Sequence, residues 1–328
     1  MKRIALFGAL LISAFAFSWG YRLHYEIART GIPLLEEKMG KGFTAYADII
    51  ARISDLPDRW KTSDPGESPN HYMDYEEFLA RPKVSPDSDF EDIKKAYGTG
   101  FLKDNGTVVW AIESYAGLLK QAFEKKDYIR IAVYSAVLAH YIGDLHQPLH
   151  ATRNYDGQLT GNKGIHSRFE ATMINLYWKR GDGVEAEPED IGYGNIRKFA
   201  IGIVEESLAA VERILDADDM ARGEDPLFSA DKYYKILWDE LRELTYDRFS
   251  KAAKRYADLI YTIYLAGGKP ALEYKELPDL SEHTQVDKPK LLSSPRSTYY
   301  ERKNDKLFAY MIGSALVFVC MILLLKKM

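Results

Sequence analysis

The sequence predicts an all-α fold, and three observations lead to this prediction. Apolar residues recur at helical spacing over long stretches of the chain. Alternating β-branched runs are nearly absent, and the one Asn-Gly pair, at Asn105 and Gly106, looks like a loop. The 328 residues, 46% of them hydrophobic, are enough for one large domain with a substantial core. We therefore expect a single multi-helix domain.

Residues 1–18 are typical of a secretory signal peptide. Lys2 and Arg3 form a basic start, an apolar run follows, and Ala16 and Ser18 are small residues at the positions before a cleavage site. Cleavage there makes Trp19 the first residue of the mature chain. The alternative is an uncleaved N-terminal anchor, although the apolar run is short for a helix that spans a membrane.

Residues 19–268 form the predicted globular domain. Apolar periodicity predicts helices near 21–39, 43–55, 108–125, 127–146, 166–180, 189–216 and 231–266. The glycines at 267 and 268, followed by Pro270, indicate the end of the last helix. The chain contains no internal repeat and no glycine-rich phosphate loop of the nucleotide-binding kinds.

A linker and a membrane anchor are predicted after the domain. Residues 269–306 are rich in Pro, Ser and charge, which is typical of a linker. Residues 307–325 carry no formal charge and as a helix would reach about 28 Å, close to the hydrocarbon thickness of a bilayer. A buried core helix is the alternative, but this run is apolar on all sides. The two lysines of residues 326–328 favour a short cytoplasmic tail. We expect an exported protein whose domain lies on the extracytoplasmic side.

Charge and cysteine content restrict the classes of function. The net charge of -4 gives no reason to expect a nucleic-acid binder held by bulk electrostatics. The single cysteine, Cys320, excludes an intramolecular disulfide framework and a cysteine-based zinc site. Any zinc must therefore be held by nitrogen and oxygen ligands.

Histidine spacing indicates a metal site. The chain has seven histidines, and four of them fall between positions 140 and 166. His140 and Asp144 are four residues apart, so on a helix both side chains leave the same face. His166 and Glu170 repeat this spacing, and His150 follows a proline that should end the first of the two helices. Such pairs predict a site that can hold more than one metal ion.

These residues carry a resemblance to a known superfamily. The segments His-Tyr-Ile-Gly-Asp, Gln-Pro-Leu-His and His-Ser-Arg-Phe-Glu, within residues 134–170, are similar to those of the bacterial zinc-dependent phospholipases C and the extracellular single-strand nucleases. The resemblance extends over roughly residues 19–266. It implies an all-α fold with three Zn²⁺ ions in one cleft, and it predicts no protein partner.

The resemblance also implies a ligand for each ion. Asp58 is the favoured carboxylate of the first set, because its spacing from His71 along the sequence is closer to that of the superfamily; Asp55, three residues earlier, stays open as an alternative. The implied ligands are Asp58, His71, His140 and Asp144 for one zinc; His150, His166 and Glu170 for a second; and the amino nitrogen and carbonyl oxygen of Trp19, His24 and the second oxygen of Asp144 for the third. Removal of the signal peptide would thus create a ligand at Trp19.

The activity implied is hydrolysis of phosphodiester bonds by a zinc-activated hydroxide, with Asp58 and Asp144 as the catalytic carboxylates. Glu170 resembles the phospholipase C branch, because the nucleases usually carry Asp there, and an anchor would hold the cleft near lipid. The short spacing from Trp19 to His24 resembles the nuclease branch instead. The sequence therefore favours phospholipid as substrate, with single-stranded DNA or RNA as the alternative and a non-catalytic zinc-binding surface protein as a remote one.

Overall fold

The structure is a computed structural model that describes residues 20–181, 184–280 and 286–292. Within these ranges the chain is helical and forms no β-strand; an isolated bridge joins Met73 and Gly106. The all-α prediction is confirmed for this part of the chain. The predicted signal peptide, the predicted anchor at 307–325 and the tail at 326–328 lie outside the described residues.

The described chain forms α-helices joined by turns and loops of varied length. The α-helices are α1 (Gly20–Gly31), α2 (Glu36–Met39), α3 (Lys41–Thr44), α4 (Ala47–Arg52), α5 (Leu56–Trp60), α6 (Tyr75–Ala80), α7 (Phe90–Asn105), α8 (Val108–Lys125), α9 (Tyr128–His146), α10 (Ile165–Ser167), α11 (Ile174–Tyr177), α12 (Ile196–Leu208), α13 (Val211–Glu224) and α14 (Tyr233–Ala266). Short 3₁₀ turns cover Pro33–Leu35, Ser68–His71, Pro148–Ala151 and Tyr193–Asn195, and a π-helical turn covers Arg168–Met173 between α10 and α11.

Helix α9 is the centre of the fold. Every side chain from Ile131 to His146 is buried, because α9 is surrounded by α1, α4, α8, α12 and α14. A helix that is apolar on all sides is stable only when its neighbours cover it completely. The side chain of Asp127 accepts a hydrogen bond from the Arg130 amide and caps the start of α9. Polar side chains within this helix are therefore held in a rigid and largely dry environment.

The structure agrees best with the sequence where helices are long and apolar. Helices α8, α9 and α14 begin and end within two residues of their predicted bounds. The predicted helix 21–39 breaks after Gly31, where Pro33 starts a 3₁₀ turn. The predicted helix 189–216 is interrupted at residues 209 and 210. Helices α5, α6 and α7 were not predicted, and α7 contains a non-helical glycine, Gly98 with φ of 82°.

The chain after α14 returns to the helical domain. The Tyr46 hydroxyl donates to the Lys275 carbonyl (2.9 Å) and accepts from the Lys275 amide (2.7 Å). Further on, Tyr134 donates to the Asp287 carbonyl (3.2 Å), and Lys288 Nζ lies 4.6 Å from the centre of the Trp60 ring. The described part of the predicted linker is thus bound to the domain surface. Among the described residues, no helix combines the length and apolarity needed to cross a bilayer.

Candidate metal centre

Helix α9 supplies two polar side chains to the core. His140 and Asp144 are fully buried one turn apart, with His140 Nε2 lying 3.3 Å from Asp144 Oδ2. The helix ends at His146, and Pro148 then begins the 3₁₀ turn that carries His150. The predicted i,i+4 pair and the predicted break before His150 both occur in the structure.

Asp144 lies among four imidazoles. Its Oδ2 is 2.9 Å from His71 Nδ1, and its Oδ1 is 3.4 Å from both His24 Nε2 and His150 Nδ1. Burial opposes ionisation, but the nearby charges of His140 and His150 hold the pKa of this carboxyl well below its usual range. An ionised carboxylate with both oxygens facing ring nitrogens is suited to bridge two metal ions.

The first group of candidate ligands surrounds His140 Nε2. This atom lies 3.1 Å from His71 Nδ1 and 3.7 Å from Asp58 Oδ1. Asp58 is held there by the short helix α5, which starts next to Pro57. Asp55 instead pairs with Arg59, at 3.1 Å between Oδ1 and a guanidinium nitrogen. Of the two carboxylates left open by the sequence, the structure brings Asp58 to the histidines.

The second group consists of His150, His166 and Glu170. His166 Nε2 is 3.1 Å from Glu170 Oε1, and His150 Nε2 is 3.7 Å from Glu170 Oε2. Each of these rings directs its other nitrogen to a backbone oxygen: His150 Nδ1 lies 2.9 Å from the His71 carbonyl, and His166 Nδ1 lies 3.1 Å from the Tyr155 carbonyl. Donation through Nδ1–H leaves both Nε2 lone pairs available beside Glu170, as metal-binding histidines require.

The third predicted ligand set is partly within the described residues. His24, on α1, is fully buried and stacks on His140 with 3.9 Å between ring centres. The close approach depends on Gly143, because a Cβ at that position would lie 2.7 Å from His24 Nδ1. Trp19 lies outside the described residues, so its predicted part in the site stays a prediction.

The donor atoms suit metal ions. They form three sets in which all donors lie within 4.8 Å of one another: His24, Asp58 and His140; His71, His140 and Asp144; and His150, His166 and Glu170. His24 Nε2 and Asp58 Oδ2 are buried without a hydrogen bond of good geometry in the described chain. Such atoms are costly to bury unless a ligand satisfies them. Imidazole nitrogens and carboxylate oxygens, with no thiolate, are the ligands of catalytic zinc.

The histidines of the cluster differ in the direction in which their pKa values are shifted. Burial and the charge of Lys61 lower the pKa of His71 to about 4, so its ring is neutral at neutral pH. Burial also lowers the pKa of His24. Burial would raise the pKa of Glu170, but the neighbouring His166 and His150 hold it far below its usual value. Burial lowers the pKa values of His140 and His166, but Asp144 and Glu170 respectively raise them above the usual histidine value, so metal binding must release protons from these two rings.

A cavity of about 370 Å³ opens onto these ligands. Its wall contains His71, His150, His166 and Glu170, and outside them Lys61, Ser68, Tyr72, Asp74, Asp104, Leu149 and Tyr155. Lys61 was not singled out from the sequence, although it follows Asp58 by three residues and so shares a helix face with it. Burial, together with the charges of Glu76 and Glu77, raises the pKa of Asp74 to about 7.

Comparison with known proteins adds one match. The family model described as S1/P1 Nuclease matches residues 19–189 of this chain, a span that contains every predicted metal ligand. A search of curated proteins found no match.

Proposed function

We propose that this chain, which belongs to the S1/P1 nuclease family, cleaves single-stranded nucleic acid with three zinc ions. The family consists of zinc-dependent phosphodiesterases, so the chain is an enzyme of phosphodiester hydrolysis. The number of zinc ions, the ligands of each ion and the identity of the substrate belong to the proposal.

The proposed ligand sets follow from the distances around Asp144. One ion is assigned to His71, His140, Asp144 and Asp58, and a second to His150, His166 and Glu170. The third is assigned to His24, Asp144 and Trp19, whose amino group would become free on removal of the predicted signal peptide. Zinc held in these sets supplies a Lewis acid that lowers the pKa of a water molecule to about 7.

The chain's own side chains perform the remaining steps. Asp58 is ionised, because the charges of His140, His71 and Lys61 outweigh the effect of burial and lower its pKa. It can therefore accept the proton of an attacking water at Oδ2, because its ion pair with Lys61 is made through Oδ1. Lys61 Nζ lies 2.5 Å from Asp58 Oδ1 on the cavity wall, where an ammonium group would neutralise charge on a phosphoryl oxygen.

Two tyrosine rings line the same cavity as the candidate ligands, and this observation supports nucleic acid as the substrate. Tyr72 and Tyr155 offer aromatic surface for a base, and stacking of this kind contributes about 1–3 kcal/mol per base. Asp74, with a pKa of about 7, can donate or accept a hydrogen bond at the edge of that base. A base can enter such a cavity only when it is free of its duplex partner, so single strands are the expected substrate.

A phospholipase C-like activity is the second candidate. It rests on Glu170, which resembles that branch of the superfamily, and on the predicted anchor at 307–325. The cavity also supports this activity, because tyrosine rings beside acidic groups such as Asp74 and Asp104 can hold the quaternary ammonium headgroup of a phospholipid.

The deciding experiment compares substrates on one preparation of the full-length protein in detergent. Single-stranded DNA, single-stranded RNA, duplex DNA and phosphatidylcholine in mixed micelles are each offered with zinc, with a zinc chelator, and with zinc restored. Chelator-sensitive cleavage of single strands with intact lipid supports the proposal. Release of phosphocholine with intact nucleic acid overturns it in favour of the phospholipase. A zinc-loaded protein inert on all four substrates would indicate a non-catalytic zinc-binding surface protein.

A matched pair of variants separates base recognition from general damage. Tyr155→Leu removes an aromatic ring from the cavity, whereas Tyr274→Leu removes an exposed tyrosine that does not line it. We expect Tyr155→Leu to raise KM for single-stranded DNA by about tenfold, the equivalent of about 1.4 kcal/mol of stacking. Tyr274→Leu should leave KM unchanged, and equal KM values in the two variants would remove the argument for a base in this cavity.

A further inference from the structure

We propose that Gln147 is a positioning residue that orients the Glu170 carboxylate for zinc and thereby sets the side-chain length needed at position 170. This inference rests on the proposed assignment of one zinc ion to His150, His166 and Glu170. It concerns a residue outside every ligand set described above.

Both ends of the Gln147 amide are engaged in a fully buried position. Nε2 donates to Glu170 Oε2 at 3.0 Å, and Oε1 accepts from the Leu149 backbone amide at 2.7 Å. The second bond fixes the orientation of the amide group, because a backbone N–H can donate only to the oxygen. The amino end must therefore point at Glu170.

The hydrogen bond from Gln147 Nε2 fixes the orientation of the Glu170 carboxylate. Its Oε2 faces Gln147 and, at 3.7 Å, His150 Nε2, while its Oε1 faces His166 Nε2 at 3.1 Å. A donor without charge holds the carboxylate without neutralising it. A lysine or arginine in the same place would form an ion pair and oppose the binding of a dication. Outer hydrogen-bond partners of this kind commonly strengthen metal binding.

Gln147 also connects this carboxylate to the other ligands. Its backbone amide bonds to the Asp144 carbonyl at 3.1 Å, and its side chain caps the Pro148–Ala151 turn that carries His150. The end of α9 and the turn after it are thereby fixed relative to Glu170. An aspartate at 170 would withdraw the carboxylate by about 1.5 Å, the length of one carbon–carbon bond. It could not then meet both Gln147 and His166 without movement of the backbone.

The test measures zinc per chain at a series of buffered free zinc concentrations in the full-length protein. Gln147→Met removes both hydrogen bonds at similar volume. Gln147→Asn keeps an uncharged oxygen that can accept from the Leu149 amide and withdraws the donor from Glu170 by about 1.5 Å, so it remains informative if Gln147→Met fails to fold. Gln121→Met, at an exposed glutamine of α8, is the control. Thermal unfolding of the metal-free proteins is measured alongside.

In both Gln147 variants we expect one zinc per chain to require about 10- to 100-fold more free zinc, with smaller shifts for the remaining zinc. A purely structural role would instead lower the melting temperature of the metal-free protein and weaken every zinc equally, and this result would overturn the inference. So would wild-type zinc affinity in both variants.

Glu170→Ala tests the proposed zinc assignment separately from the role of Gln147. If the wild-type protein and Glu170→Ala hold the same amount of zinc, the proposed assignment of that ion is wrong. If Glu170→Ala loses one zinc and the Gln147 variants lose none, only the role of Gln147 is wrong.

Discussion

Lys61 Nζ lies 2.5 Å from Oδ1 of Asp58, on the wall of the cavity that the histidines line. Burial alone would lower the pKa of Lys61, but Asp58 and the more distant carboxylates Asp144 and Glu170 raise it. The lysine therefore stays charged at neutral pH, beside a carboxylate whose own pKa is lowered. Lys61 thus contributes a fixed positive charge to a site whose other polar groups are mostly carboxylates and imidazoles.

We predict that Lys61→Met lowers kcat/KM for phosphodiester cleavage by about 100-fold, because it removes a preorganised cation from the developing phosphoryl charge. Zinc content should stay at the wild-type level, since an ammonium group cannot ligate a metal. The control is Lys125→Met, at an exposed lysine of α8. Equal kcat/KM in the two variants would show that Lys61 does not contact the substrate.

Asp144→Ala should lose hydrolysis and the zinc of the two ligand sets that share Asp144. The reason is that its two oxygens face ring nitrogens of different sets. His140→Ala should likewise lose hydrolysis and the zinc of its own set, through loss of the nitrogen next to Asp144 and Asp58. Zinc content and hydrolysis are measured together. Asp48→Ala, at a side chain that is 74% exposed, is the control. Full activity in either site variant contradicts the assignment.

Asp55 and Asp58 allow a direct comparison of two neighbouring carboxylates, because Asp55 precedes helix α5 and Asp58 lies within it. Asp58→Ala should lose zinc and activity, because Asp58 lies beside His140 and His71. Asp55→Ala should retain both, because Asp55 pairs with Arg59. A partly exposed ion pair of that kind contributes about 0–1 kcal/mol, so little stability is at stake. The reverse pattern in zinc content would make Asp55 the ligand.

Glu170→Asp should be milder than Glu170→Ala. The shorter side chain keeps an ionised oxygen ligand but cannot contact Gln147 and His166 at the same time. We expect about 10-fold weaker zinc binding for Glu170→Asp, within the range seen when a ligand loses its supporting hydrogen bond. Glu170→Ala should lose that zinc entirely. Zinc titration of both variants is the measurement, and identical affinities would show that carboxylate reach is unimportant here.

Asp74 should make the metal-free protein less stable as pH rises. Its pKa is raised from 3.8 to about 7, so the folded state binds the proton more tightly than the unfolded state. The resulting penalty is absent below pH 3.8, grows between 3.8 and about 7, and is complete above that. Three pKa units set an upper limit of about 4 kcal/mol.

Asp74→Asn removes this titration. We expect urea unfolding of the metal-free variant to show a gain in stability over wild type at pH 8, and a much smaller gain at pH 5. Asp48→Asn should show no difference at either pH, because its side chain is 74% exposed. A gain for Asp74→Asn that is the same at both pH values would refute the linkage.

The sequence anticipated the parts of this site that depend on local spacing. His140 with Asp144, and His166 with Glu170, were predicted as pairs because four residues make about one helical turn. Their assembly into neighbouring groups required the packing of α9 against α1 and α5, which no periodicity contains. The resemblance to the superfamily supplied that information, and the family match over residues 19–189 confirms the membership.

Contacts between distant segments were not predictable from spacing. Asp55 and Asp58 are nearly equivalent in sequence, and only the start of α5 at Leu56 turns Asp58 inward. Gln147 belongs to the Gln-Pro-Leu-His segment, but its contact was not predictable because its partner, Glu170, is 23 positions away. The preference for lipid rested on the identity of Glu170 and on the predicted anchor. It stays a prediction, as do the signal peptide, the anchor and the role of Trp19.

The hydrogen bond from His150 Nδ1 to the His71 carbonyl, at 2.9 Å, joins a ring of one metal group to the backbone of another. The amide two residues after His71 returns a bond to the His150 carbonyl at 3.0 Å. An ion that immobilises His150 must therefore also restrict His71, and linkage makes the effect reciprocal, typically by 1–3 kcal/mol. Zinc uptake should be cooperative. Under zinc scarcity, partly filled molecules would be fewer than independent binding of the ions predicts.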